Sequence, residues 1–196
     1  MRFFGIMAIS VAFLLFSSQS LAFAQESNDQ PIEYHVATSL ISIGEIDKKI
    51  GTYELDFWYS IFAEGYDLTV MPPPEVDFVN GKNEQISSQY LASNIYEQRV
   101  RGTFVNTMDF NDFPFEKIKL KIDIETVTPW STERVILKVD PASGVDETAN
   151  VPGWFVTDPN FSVIEKTYRT SGESYSRYVA EFTVERSPLG SFLKIG

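Results

Sequence analysis

Cysteine is absent from all 196 residues. That excludes disulfide stapling, thiol nucleophiles and thiolate metal sites. Histidine occurs once, as His35, so a zinc centre would have to be assembled mainly from carboxylates, a ligand set zinc seldom uses. Basic residues are few: 16 Lys and Arg stand against 27 Asp and Glu, a net charge of −11. Such a balance disfavours nucleic acid and anionic membrane surfaces as partners, and suits a cationic ligand or a cation path. No G-x-S-x-G, nucleotide-binding loop or metal-ligand spacing occurs, and paired carboxylates such as Asp109 and Asp112 carry no mark of an acid and base. The chain reads as a non-enzyme with no cofactor. Beyond residue 24 no apolar run approaches the roughly 20 residues that span a bilayer.

The N-terminus differs from the rest. Arg2 precedes an apolar run from Phe3 to Phe16, and Ala22-Phe23-Ala24 is a small-x-small cleavage site. Residues 1–24 are therefore expected to be a secretory signal peptide, with export to the periplasmic or extracellular face; an uncleaved N-terminal anchor is the alternative. Loss of Arg2 makes the mature chain one unit more acidic. What remains fits one domain, and 43% hydrophobic with 14% aromatic residues is enough for a real core.

The clearest strand signal is Lys117–Glu125. Ile118, Leu120, Ile122 and Ile124 alternate with Lys117, Lys119, Lys121, Asp123 and Glu125, so one face covers a core and the other meets water. Tyr53, Leu55, Phe57, Tyr59 and Ile61 alternate in the same way with Glu54, Asp56, Trp58 and Ser60 along Thr52–Phe62. Further strands are expected over 36–43, 94–105, 135–139, 153–165 and 175–186. The segment 63–93 reads as irregular, because Pro72-Pro73-Pro74 forbids a central strand. With turn signals every 8–12 residues and no sustained helical period, the expected fold is all-β: an antiparallel immunoglobulin-like β-sandwich of about eight to ten strands.

Before Lys117, Phe113-Pro114-Phe115-Glu116 puts two large apolar rings on a turn, where polar residues are usual. By itself this describes a hairpin turn packed on its own sandwich. A Phe-Pro-Phe-Glu loop opening an amphipathic strand also resembles the signature loop of the pentameric ligand-gated ion channels, the Cys-loop receptor superfamily. The lack of cysteines is similar to the prokaryotic branch. Three further stretches carry the resemblance in order: Pro74, Glu75 and Asn80 within W-x-P-[DE]-x-x-x-x-N, the Gly153-Trp154 pair, and Val184-Glu185-Arg186-Ser187-Pro188-Leu189. Pro72 replaces the tryptophan of the second motif, and Val79 stands near the family's aromatic. The likeness covers roughly residues 33–196.

The resemblance implies a ligand-binding domain over 25–189 and the start of a first membrane helix at 190–196. It implies a homopentamer joined to the membrane through a pore domain, with a small ligand, a cationic amine or protons, bound between subunits. Trp130, Tyr168 and Tyr175 would line the site from one subunit and Trp58 from its neighbour, since aromatic rings hold amines by cation–π attraction. Each has a plainer reading: Trp130 as a cap on the sandwich, the tyrosines as ordinary turn residues, Trp58 as a residue on a polar strand face. Coupling to the pore would fall to Asp47 and Lys48 in the first hairpin turn (with Glu45 and Ile46), to Phe113, Pro114 and Phe115, and to Arg186 paired with Asp112, Glu116 or Asp47. The plainer reading is a stabilising cluster. Two alternatives share the fold: a free-standing soluble periplasmic ligand-binding protein, and a β-sandwich adhesion or sensor module.

Overall fold

The computed structural model describes residues 30–107, 117–147, 149 and 154–186. The elements are β1 (Ile32–Asp47), β2 (Thr52–Ala63), β3 (Val76–Phe78), β4 (Gly81–Leu91), β5 (Ile95–Val105), β6 (Lys117–Thr126), β7 (Val135–Val139), β8 (Gly144–Val145), β9 (Trp154–Thr167) and β10 (Ser174–Arg186). They form two packed sheets. One runs β4-β5-β2-β1-β7, with β8 also on β1; the other runs β3-β6-β10-β9. The expected all-β sandwich is the observed fold. Most neighbours are antiparallel, but β7 and β8 both lie parallel to β1, so the first sheet is mixed.

The period-two faces are the faces that meet. Tyr53, Leu55, Phe57, Tyr59 and Ile61 of β2 are buried against Ile118, Leu120, Ile122 and Ile124 of β6 and Tyr178, Ala180, Phe182 and Val184 of β10. Each fully buried large apolar side chain contributes roughly 1.5–3 kcal/mol through removal from water. Phe78 from β3 closes the aromatic layer, edge-on to Phe57, Tyr59 and Phe104.

Polar bridges tie the sheets together through this core. The Tyr53 hydroxyl, carried on the first sheet, donates to the Lys121 carbonyl at 2.7 Å and accepts from the Lys121 amide at 2.9 Å on the second. Asn80, in the crossing between β3 and β4, donates through Nδ2 to the carbonyls of Val105 and Lys121, while its Oδ1 accepts from the Asp123 amide. The motif asparagine is thus a clamp between sheets.

The region expected to be irregular needs correction. Residues 64–75 do form a connection, with Leu68 fully buried, but β3 and the whole of β4 lie within 63–93. β4 pairs only with β5 and is exposed along nearly its full length. An edge strand with neither face buried has no reason to alternate, so its sequence lacks the signal that marks the other strands. β1 is also longer than expected, because two register shifts let it bend and continue to Asp47.

Candidate functional site

The β9–β10 hairpin folds its turn over the end of the second sheet. Gly172, at φ +75°, allows the chain to reverse. Tyr168 and Tyr175 flank that turn, and their rings meet edge-to-face with centroids 5.9 Å apart. Both hydroxyls are engaged. Tyr168 donates to Glu125 Oε1 at 2.5 Å and accepts from Arg177 Nη2 at 3.1 Å. Tyr175 donates to Glu173 at 2.6 Å, leaving the Thr128 hydroxyl to donate to Tyr175 at 2.8 Å. The negative acceptors push both phenols up from their ordinary value of 10.0, through Glu125 for Tyr168 and Glu173 for Tyr175.

Beneath the tyrosines lies an ion pair. Arg177 Nε donates to Glu125 Oε2 at 2.7 Å, with only 12% of the arginine side chain and 8% of the glutamate side chain exposed. Glu125 and Arg177 are directly opposite in the β6–β10 register. Neither stood out in the sequence, where Glu125 reads as one more charge on a solvated face. The hairpin turn that covers them comes from elsewhere in the chain.

Trp130 sits on the loop after β6. That loop is tied to the hairpin root by the Thr132 amide donating to the Ser174 carbonyl, and by the Thr128–Tyr175 bond. Thr126 holds the loop by donating to the Trp130 carbonyl at 2.7 Å. The indole itself is half-buried and packs on the core, two residues from Thr128. Trp130, Tyr168 and Tyr175 therefore come to one end of the sandwich. Trp58 does not join them. It projects from the outer face of the other sheet, half-buried, with Ser39 and Arg99 as its cross-strand neighbours.

The opposite end holds Asp47, Lys48 and the backbone of Arg186. In the β1–β2 turn, Asp47 Oδ1 accepts the Lys49 amide at 2.8 Å, and Lys48 Nζ lies 5.1 Å from the centre of the Trp154 ring. Trp154 is the register partner of Arg186, the last residue of β10. Gly51, at φ +71°, accepts from the Asn106 amide through its carbonyl, and Asn106 Nδ2 donates to Lys119. Asn106 and Lys119, on the two sides of 108–116 in the chain, thus lie beside the β1–β2 turn. Phe113, Pro114 and Phe115 fall outside the described residues, as do Asp112, Glu116, residues 1–24 and 190–196. Arg186 is placed through its backbone.

Among the described residues no group of His, Asp and Glu could hold a metal ion, and no helix is long and apolar enough to cross a membrane. No protein-family model matches the chain, and no curated protein matches it.

Proposed function

We propose that this chain is the exported ligand-binding β-sandwich of a pentameric ligand-gated ion channel, which binds a small cationic ligand at the Trp130–Tyr168–Tyr175 end and passes the event to a membrane pore at the other. The observation that carries this reading is the two-ended arrangement. The three aromatics assigned to one subunit's half of a site lie together under a hairpin turn, while the β1–β2 turn, Asn106 and Lys119 on the two sides of 108–116, and the end of β10 lie together at the far end. Continuous strands such as β10, which carries Tyr175 at one end and Arg186 at the other, connect the two. Trp58, on the outer face of the other sheet, suits a contribution from a neighbouring subunit.

The chemistry at the hairpin supports a cationic ligand of a particular kind. Glu125 already holds a cation, Arg177, and Tyr168 shares both. An incoming amine competes with Arg177 for the Glu125 carboxylate and the Tyr168 hydroxyl, so binding loosens the contact that fastens the hairpin to β6. That gives a ligand differential affinity for two hairpin positions, which is what a switch requires.

Propylamine titrated against the purified protein, followed by tryptophan fluorescence, tests the site, and light scattering tests the assembly. Saturable quenching that is lost in Tyr168→Ala, together with a pentameric mass, supports the reading. A monomer whose emission is indifferent to amines overturns it. Reading the gene beyond codon 196 separates a channel subunit from the free-standing binding protein.

A further inference from the structure

The outer face of the first sheet carries a hollow of about 460 Å³ lined by Ser42, Gly44, Glu54, Asp56, Arg101 and Thr103, with Asn83 and Gln85 on its rim. Two irregularities open it. β1 shifts register between Ile43 and Ile46, and β4 shifts between Lys82 and Gln85, with Asn83 at φ +55°. Glycines form part of its floor. A Cβ on Gly44 would stand 2.7 Å from Glu54 Oε2, and one on Gly102 would stand 3.2 Å from the Glu84 Cα.

The charges in the hollow are arranged and only partly satisfied. Asp56, 10% exposed at its side chain, receives Arg99 Nε and Nη2 at 2.8 Å each, and Arg101 Nε at 2.6 Å. Arg101 is therefore held by one nitrogen. Its two terminal amino groups donate to no described residue, and 58% of its side chain is exposed. Glu54 makes no hydrogen bond or ion pair among the described residues, and the same holds for the side chains of Ser42, Asn83, Gln85 and Thr103. A positioned guanidinium edge presents parallel donors to a carboxylate. Two arginines against Asp56 leave one positive charge, and Glu54 supplies one negative charge, so the hollow is neutral but polarised.

We infer that this hollow is a second ligand site, distinct from the hairpin cluster, which takes a free polar α-amino acid with its carboxylate on Arg101 and its ammonium on Glu54. A zwitterion matches both charges at once. A simple anion would face Glu54 and a simple cation would face Arg101, each unpaired. The amides of Asn83 and Gln85 and the hydroxyls of Ser42 and Thr103 provide donors and acceptors for a polar side chain.

Equilibrium dialysis of radiolabelled L-glutamine against the full-length protein tests this. One saturable equivalent is expected, with Kd raised about tenfold or more in both Arg101→Gln and Glu54→Gln, the scale of one lost charge-assisted contact. Glu54 is exposed and unpaired, so its variant folds whatever becomes of Arg101→Gln. Acetate and methylammonium, each carrying half of the ligand, should displace glutamine only weakly. Absence of saturable binding, binding unchanged in Glu54→Gln, or displacement by acetate as effective as by glutamine itself would each overturn the assignment.

Discussion

Asn80 illustrates how one side chain can hold two layers. Its amide satisfies the carbonyls of Val105 and Lys121 and the amide of Asp123, groups drawn from both sheets. It lies where the chain crosses between them and no strand ladder can reach. Replacing Asn80 with alanine takes a partner from the Val105 carbonyl and the Asp123 amide, while the Lys121 carbonyl keeps the Tyr53 hydroxyl; the cost is about 1–3 kcal/mol for each group left unpaired that water cannot reach. We expect Asn80→Ala to lower stability by about 3 kcal/mol in urea denaturation. A loss below about 1 kcal/mol would mean that Tyr53, which bonds both backbone groups of Lys121, suffices as the bridge.

At the scale of elements, the β9–β10 hairpin gains its place from the pairing under it. Arg177 and Glu125 are both largely withdrawn from water. Breaking the pair from one side strands a charge, whereas neutralising both sides together does not. Arg177→Met alone is expected to cost about 3 kcal/mol. The double variant with Glu125→Gln should recover part of this, giving a coupling energy of about 1–3 kcal/mol in a double-mutant cycle. Additive losses would show that the two residues act separately and that the hairpin is held by its aromatic edge contact.

For the whole molecule, alkaline pH is the revealing variable. Burial raises the phenols of Tyr34, Tyr53, Tyr59, Tyr96 and Tyr178 above their ordinary value of 10.0, and bonds to carboxylates raise Tyr168 and Tyr175. A raised value means that the folded state holds the proton more tightly than the unfolded chain. The stability this provides is complete below pH 10 and is lost as pH climbs past it. Absorbance at 295 nm should therefore show the shielded phenols ionising late and cooperatively, coincident with loss of β-sheet circular dichroism. Smooth ionisation of every tyrosine near pH 10 with the fold intact would contradict this. At the acid end, burial works to raise Asp56, but Arg99 and Arg101 outweigh it and hold the carboxyl below its ordinary 3.8. Its stabilising contribution is thus present above that value and lost as pH falls below it.

Several features of this molecule were legible in the chain itself. The alternation in Thr52–Phe62, Lys117–Glu125 and Tyr178–Val184 determined which side chains are buried, because a strand can hide only every second residue. That alternation also determined the all-β class. The absence of cysteine settled that packing and hydrogen bonds must hold the sandwich. Other features came into being only with the tertiary structure. β4 carries no alternation because neither of its faces is covered, and its strand conformation comes from the ladder that β5 offers it. The parallel seating of β7 and β8 on β1 depends on a chain crossing that no local pattern encodes. Trp130, Tyr168 and Tyr175 were readable as aromatics near turns, but Glu125 and Arg177 beneath them read as solvated charges. Their burial was decided by a hairpin turn more than 40 residues from Glu125. The hollow beside Arg101 likewise exists because irregularities on β1 and β4 fall at one level on either side of β2 and β5, a coincidence of register that folding alone brings about.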